Sequence, residues 1–194
     1  MTDQSHIPVQ PRQKGASRWR LALVGLGLVF MTIILMLTGP TTPPGAQEPL
    51  PAAPGIIALP IPYEVAGLPI QMHLVGPEAD EEIARLHRGS FALTGAAIAL
   101  YQNAEATVWV GGAESTAKTR LIVYQMTQSI ARVDSPFTPV GQRRLRDLDV
   151  YELVGMGQAH FYFQVDDRVY WLAITPDRVD RGLQDLLDFA LKTE

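Results

Sequence analysis

The chain has 194 residues, with 16 Lys and Arg against 20 Asp and Glu, four His and no cysteine. Lack of cysteine excludes a disulfide scaffold, a thiolate metal site, a CxxCH haem attachment and a lipidated cysteine. Charge is unevenly spread: from Tyr63 onward 12 Lys and Arg face 18 Asp and Glu, a net of −6, which argues against a nucleic-acid role because phosphate binding needs basic surface.

Residues 1–18 form a short basic tail, and Arg12, Lys14, Arg18 and Arg20 lie before the first long apolar run. That run, Leu21–Leu37, is seventeen residues without a charge, and residues 19–38 together make a span of twenty. At about 1.5 Å per residue a helix of that length crosses a hydrocarbon core of roughly 30 Å. A cleaved signal peptide is the alternative, but the run exceeds the usual signal core. No good cleavage site follows it either, since Pro40 follows Gly39, Pro54 follows Ala53 and Pro44 stands two positions before Ala46. No Lys or Arg recurs until Arg85, so the tail is expected to be cytoplasmic and the remainder extracytoplasmic. The run Leu21–Leu37 contains neither a small-xxx-small seam nor an ionisable residue, which marks the span as a simple anchor contacting the lipid bilayer.

Residues 39–62 hold eight prolines in 24 residues. Proline fixes φ and removes a donor, so an extended linker is expected. Its second half, Ile56 to Pro62, is too apolar for a solvated tether and is expected to lie against the following domain or a partner.

Residues 63–194 are expected to form one extracytoplasmic domain. Ile70, Met72 and Leu74 alternate as a strand, and Glu78–Arg88 places acids at the start and arginines at the end of a helix. Two β-prone runs, 96–102 and 106–110, flank a turn at Asn103-Ala104-Glu105, and a helix follows over Ser115–Arg132 with Thr119, Val123, Met126 and Ile130 along its apolar stripe. Strands are expected near 137–143 (interrupted by Pro139 and Gly141), 148–154, 159–165 and 168–175, the last two closed by Asp166-Asp167 so that Tyr162 faces Trp171. Thr175 and Pro176 open a final helix with Val179, Leu183, Leu186, Leu187 and Ala190 on one face. This order predicts an α+β fold, a mostly antiparallel sheet with helices packed on it, preceded by a transmembrane helix and a Pro-rich stalk.

No motif in the sequence names a reaction. Gly112-Ala113-Glu114-Ser115-Thr116-Ala117-Lys118-Thr119 approximates a phosphate-cradling GxxxxGK[ST] loop, but Ala117 replaces a required glycine and Glu114 would face the anion. A capped helix start explains it better. His73, His87 and His160 lack the spacing of a metal pair, and Ser90 has no identifiable base. In the last hairpin Ala159, Phe161, Phe163, Tyr170, Leu172 and Ile174 form the core face. His160, Tyr162 and Trp171 lie on the other face, which is either covered by helices or left as a binding surface. With Trp109 they are the candidate partner or ligand face, because aromatic residues are enriched at such sites. Arg143, Arg144 and Arg146 form the basic cluster, a candidate contact with an anionic surface or a solvated edge beside Asp147 and Asp149.

With no catalytic set, metal or cofactor called for, the expected function is that of a non-enzymatic, membrane-anchored protein-interaction module. Its expected setting is a membrane protein complex, as an accessory or assembly subunit. The alternative is an extracytoplasmic domain that binds a small ligand or senses one.

Overall fold

The computed structural model describes residues 55–87, 93–132 and 134–193. The basic tail, the apolar span 19–38 and the linker up to Pro54 lie outside the described residues. Among the described residues no helix is long and apolar enough to cross a membrane.

The described chain is a curled antiparallel sheet with helices packed on it. The strands are β1 (Ile57–Ala58), β2 (Glu64–Val65), β3 (Leu68–Val75), β4 (Gly95–Tyr101), β5 (Ala106–Gly112), β6 (Phe137–Leu145), β7 (Leu148–Gly155), β8 (Gln158–Val165) and β9 (Arg168–Ile174). The helices are α1 (Pro77–Leu86), α2 (Thr116–Ile130) and α3 (Val179–Lys192), the last entered through a 3-10 turn at Pro176–Arg178. Strand order is β2-β3-β4-β5-β9-β8-β7-β6. The chain builds the first four of these, crosses along α2 to the far edge, and returns by a meander until β9 meets β5.

The hairpin turns explain the registers. Asp166-Asp167 closes β8 on β9 with Val165 opposite Arg168, Phe163 opposite Tyr170 and Tyr162 opposite Trp171, as expected for a two-residue turn. Arg146-Asp147 and Met156-Gly157 close the two preceding hairpins with positive φ at both central positions, the conformation that follows the right-handed twist of the strands.

Both sheet faces are covered. On one, α3 packs Leu183, Leu186, Leu187 and Ala190 against Val108, Val110, Phe161, Phe163, Tyr170 and Leu172. On the other, Val123, Met126 and Ile130 of α2 pack against Leu153, Tyr162 and Val169, while Ala79 and Ile83 of α1 pack against Ala96 and Ile98. The buried residues of α2 are the Thr119, Val123, Met126, Ile130 stripe. Leu121, apolar but off that stripe, is 48% exposed. Strict alternation also fails in β3, where a bulge between Ile70 and Met72 shifts the register. Ile70 therefore joins the α3-side core and Leu74 the α1 side.

The apolar half of the linker is part of the sheet. β1 pairs in parallel with β4, Ile57 opposite Gly95 and Ala58 opposite Ala96. It occupies the ladder beyond the point where β3 turns off at Gly76 into α1. Leu59 is 6% exposed within the main core, a burial that contributes roughly 2 kcal/mol. At the opposite edge β6 is exposed on both faces from Thr138 to Arg144. A bulge between Pro139 and Gly141 interrupts it, and Pro139 has no N–H to offer a neighbour.

Gly182 lets α3 approach the end of β9 closely: a Cβ there would clash with Ile174 Cδ1. Helix propensity alone would favour Ala there by about 1 kcal/mol. A net loss of about 1–3 kcal/mol in urea denaturation is expected for Gly182→Ala, because the overpacking term wins. In an Ile174→Val background, which removes the Cδ1 methyl, the same change becomes neutral or stabilising. Simple additivity of the two changes would show that this contact does not set the helix position.

Candidate functional site

The outward alternation of four neighbouring strands builds one aromatic row beneath α2. Tyr151 on β7 lies opposite Tyr162 on β8, Tyr162 opposite Trp171 on β9, and Trp171 opposite Trp109 on β5. Tyr151 and Tyr162 stack at 4.7 Å between centroids, and Tyr162 and Trp171 at 5.4 Å. The Thr127 hydroxyl of α2 donates to Val123 O, and so accepts from Tyr162 at 2.8 Å. Burial pushes the Tyr162 phenol up, with the Thr127 bond opposing and nearby Tyr151 adding to the rise. It therefore stays protonated across the physiological range.

The structure brings His160, Tyr162 and Trp171 together and sets Trp109, directly across from Trp171, at the end of the row, where it packs into the cluster beneath α1 with Ile98 and Leu74. His160 and Tyr162 are buried and Trp171 half-buried, because α2 covers this face. Phe137, at the start of β6, closes the remaining side with edge-on contacts to His160 at 4.8 Å and Trp171 at 5.3 Å. Of the two options open for this face, coverage by a helix is the one found.

His160 is held through both ring nitrogens. Trp171 Nε1–H can only donate, so His160 Nδ1 accepts it at 3.2 Å, and His160 Nε2–H donates to Gly155 O at 3.0 Å. This fixes a neutral tautomer whose role is to tie β8 to β9 and to the β7 turn. Burial lowers its pKa, and the Gly155 bond partly opposes that.

The three arginines of the basic cluster each meet an acid of the same chain. Arg143 pairs with Glu152 at 2.5 Å and lies over the Phe161 ring, Arg144 meets Asp149 at 3.5 Å and Asp147 at 3.8 Å, and Arg146 pairs with Asp188 on α3. Their charge is used to pin the edge hairpin. His73 is exposed on β3, and His87 Nδ1 lies 2.8 Å from Ile83 O at the end of α1. Gly112–Thr119 is a strand end followed by a capped helix: Ser115 Oγ accepts Lys118 N–H at 3.3 Å, and β5 is antiparallel to both neighbours. Ser90 lies outside the described residues. Among the described residues no group of three His, Cys, Asp or Glu is placed to hold a metal.

An open cleft of about 650 Å³ lies beside this filled row, between α2 and the β6–β7 hairpin. Tyr151 and Gln164 line it from the sheet, Thr116, Arg120, Tyr124 and Thr127 from the helix, and Arg144, Asp147 and Asp149 from the hairpin. Tyr124 is 61% exposed, and Arg120 makes no ion pair among the described residues. The Thr127–Tyr162 bond is the boundary between dry core and wet cleft. The sequence analysis missed Tyr151, Tyr124, Arg120 and Phe137. A signal existed for Tyr151: the turn at Met156-Gly157 places it directly across from Tyr162.

No protein-family model, curated protein or solved structure matches the chain.

The His160 arrangement has a definite pH signature. Its pKa in the folded chain is lowered while that of the unfolded chain is near 6.5. Its stabilisation is fully present above about pH 6.5 and is lost as pH falls from there through the lowered folded value. Urea unfolding between pH 7.5 and 5 should show stability falling with a slope of up to about 1.4 kcal/mol per pH unit from this one group. His160→Gln should be less stable at pH 7.5 and lack that part of the slope. An unchanged slope in the variant would assign the titration elsewhere.

Proposed function

We propose that the protein is a non-enzymatic, single-pass membrane-anchored module whose extracytoplasmic domain docks a polypeptide of a membrane complex as an accessory or assembly subunit. The uncharged run Leu21–Leu37, with all nearby basic residues on its N-terminal side, supports the anchor and its orientation.

The observation that carries the docking role is the cleft between α2 and the β6–β7 hairpin. Its rim offers an exposed tyrosine and an arginine that makes no ion pair among the described residues, two of the residue types that dominate binding energy at protein interfaces. Its walls carry Arg120 and Arg144 against Asp147, Asp149 and Asp166, a mixture suited to the alternating donors and acceptors of a peptide backbone. The volume also falls within the range of small-molecule sites. Such sites are mostly apolar and enclosed, whereas this one is polar and open, so the small-ligand reading stands second.

Purification of the full-length protein from its own membranes in mild detergent is expected to yield a stoichiometric partner. Arg120→Glu and Tyr124→Ala should each weaken that association by roughly 30-fold, the scale of an interface hot spot of about 2 kcal/mol. Gln184→Ala, on the opposite helix α3, should leave it unchanged. Isolation of a lone monomer, or equal retention by all three variants, would move the assignment to the small-ligand reading.

A further inference from the structure

Residues 55–62 join the sheet in a manner unlike any other segment. Three backbone bonds hold them along β4: Ile57 N–H to Thr94 O at 3.0 Å, Ala96 N–H to Ile57 O as the parallel register requires, and a longer one from Leu59 N–H to Ala96 O at 3.4 Å. Ala96 O also receives Gly76 N–H at 2.9 Å, so losing the Leu59 bond leaves that carbonyl satisfied, whereas Ala96 N–H loses Ile57 O as its acceptor, a vacancy that an extended segment would refill. Thr94 is exposed, so its carbonyl can be hydrated instead. Ile57, Ala58 and Pro60 are exposed, Leu59 and Pro62 are buried, and Ile56 and Ile61 are half-buried against the α1-side and main cores. The bed beneath is cleared by two paired glycines. A Cβ on Gly95 would meet Ile57 Cγ1 at 2.8 Å and Leu59 at 2.9 Å, and one on Gly112 would meet Leu59 Cδ1 at 3.3 Å.

The residues immediately downstream are fastened quite differently. Val65 is fully buried. Ala66 N–H donates to Asp185 of α3 at 2.8 Å, Ala66 O accepts from Arg178 at 3.3 Å, and Glu64 faces Arg181 at 3.6 Å. A segment held by a short ladder thus runs into a clamp, with exposed Tyr63 between them; the last bond of the segment to release is that of the Tyr101 hydroxyl to Pro62 O at 2.7 Å. Ahead of it lie 54 residues that include the uncharged run.

We propose that residues 55–62 are a releasable strap: load on the chain ahead of them peels them from β4 as a unit, the clamp at Glu64–Ala66 arrests the peeling, and the vacated groove accepts an extended aliphatic segment of the strap's own pattern. The load path rests on the anchored reading above. Retention of the protein in carbonate-washed membranes tests that reading separately.

The first measurement is native-state amide exchange on the unmodified full-length protein. The Ile57 and Leu59 amides are expected to exchange at least about 100-fold faster than those of Val108 and Leu172, as a sub-global opening should. Exchange at the same slow rate as the central strands would overturn the proposal. Stretched between its termini, the protein should show an early extension step below about 30 Å, the span of eight extended residues, before the remainder unfolds. Leu59→Asp should abolish that step, and a single all-or-none event unaffected by the variant would count against the strap. A labelled peptide of residues 55–62 should bind Leu59→Asp at least 10-fold more tightly than the native chain, and adding Gly95→Ala should remove that gain. Failure of the peptide to bind, or dimerisation of Leu59→Asp through a second copy, would overturn the groove's assigned occupant.

Discussion

Everything in this domain depends on the pairing of β5 with β9. Seven registered pairs, from Ala106 opposite Ile174 to Gly112 opposite Arg168, join strands about sixty residues apart in the chain. Without that ladder the first four strands and the final meander are separate sheets, each with an unpaired edge. With it the α3-side core becomes continuous from Ala97 and Ala99 through Val108 to Phe161, and α3 can span the join. The pairing is strongly non-local, so loop closure must precede its gain, and it is the step expected to limit folding.

The same ladder explains why the aromatic row is structural. It brings Trp171 to Trp109 on one side, while the Asp166-Asp167 turn brings Tyr162 to Trp171 on the other. Once the rings are aligned, α2 lies over them because the stripe that ends in Ile130 has nowhere else to bury itself. A row of aromatics on an uncovered sheet would be a binding platform; here the helix that follows β5 closes it. What remains open is the gap between the helix and the edge hairpin, where the polar ends of the row and the charges of the β6–β7 turn meet water.

Local rules in the sequence accounted for much of this. Alternation and the two-residue turn gave the β8–β9 register residue by residue, and helical periodicity gave the buried faces of α2 and α3. Less was legible wherever the outcome depended on distant partners. Nothing near Ile70 announces the bulge that moves it to the opposite face from Leu74, because the bulge is set by how β3 meets β4. The apolar character of Ile56 to Pro62 marked that segment as lying against the domain or a partner, but not that Leu59 enters the core, which depends on the room left by Gly95 and Gly112. The cleft was illegible for the same reason: Arg120 and Tyr124 lie on a helix whose distance from the β6–β7 hairpin is fixed by the β5–β9 join. Identity was legible at Tyr162 and Trp171, but their burial was not.

The outer strand has a consequence for how copies of this protein behave beside one another. β6 is nine residues long and exposed on both faces, the geometry from which sheets in neighbouring molecules fuse. Pro139 and the bulge that follows it break the run of edge amides, and the adjacent arginines are held in place by acids of their own chain. Copies at high local density would meet edge to edge. The interrupted rim lets them collide and separate rather than polymerise, so crowding need not become fibre growth.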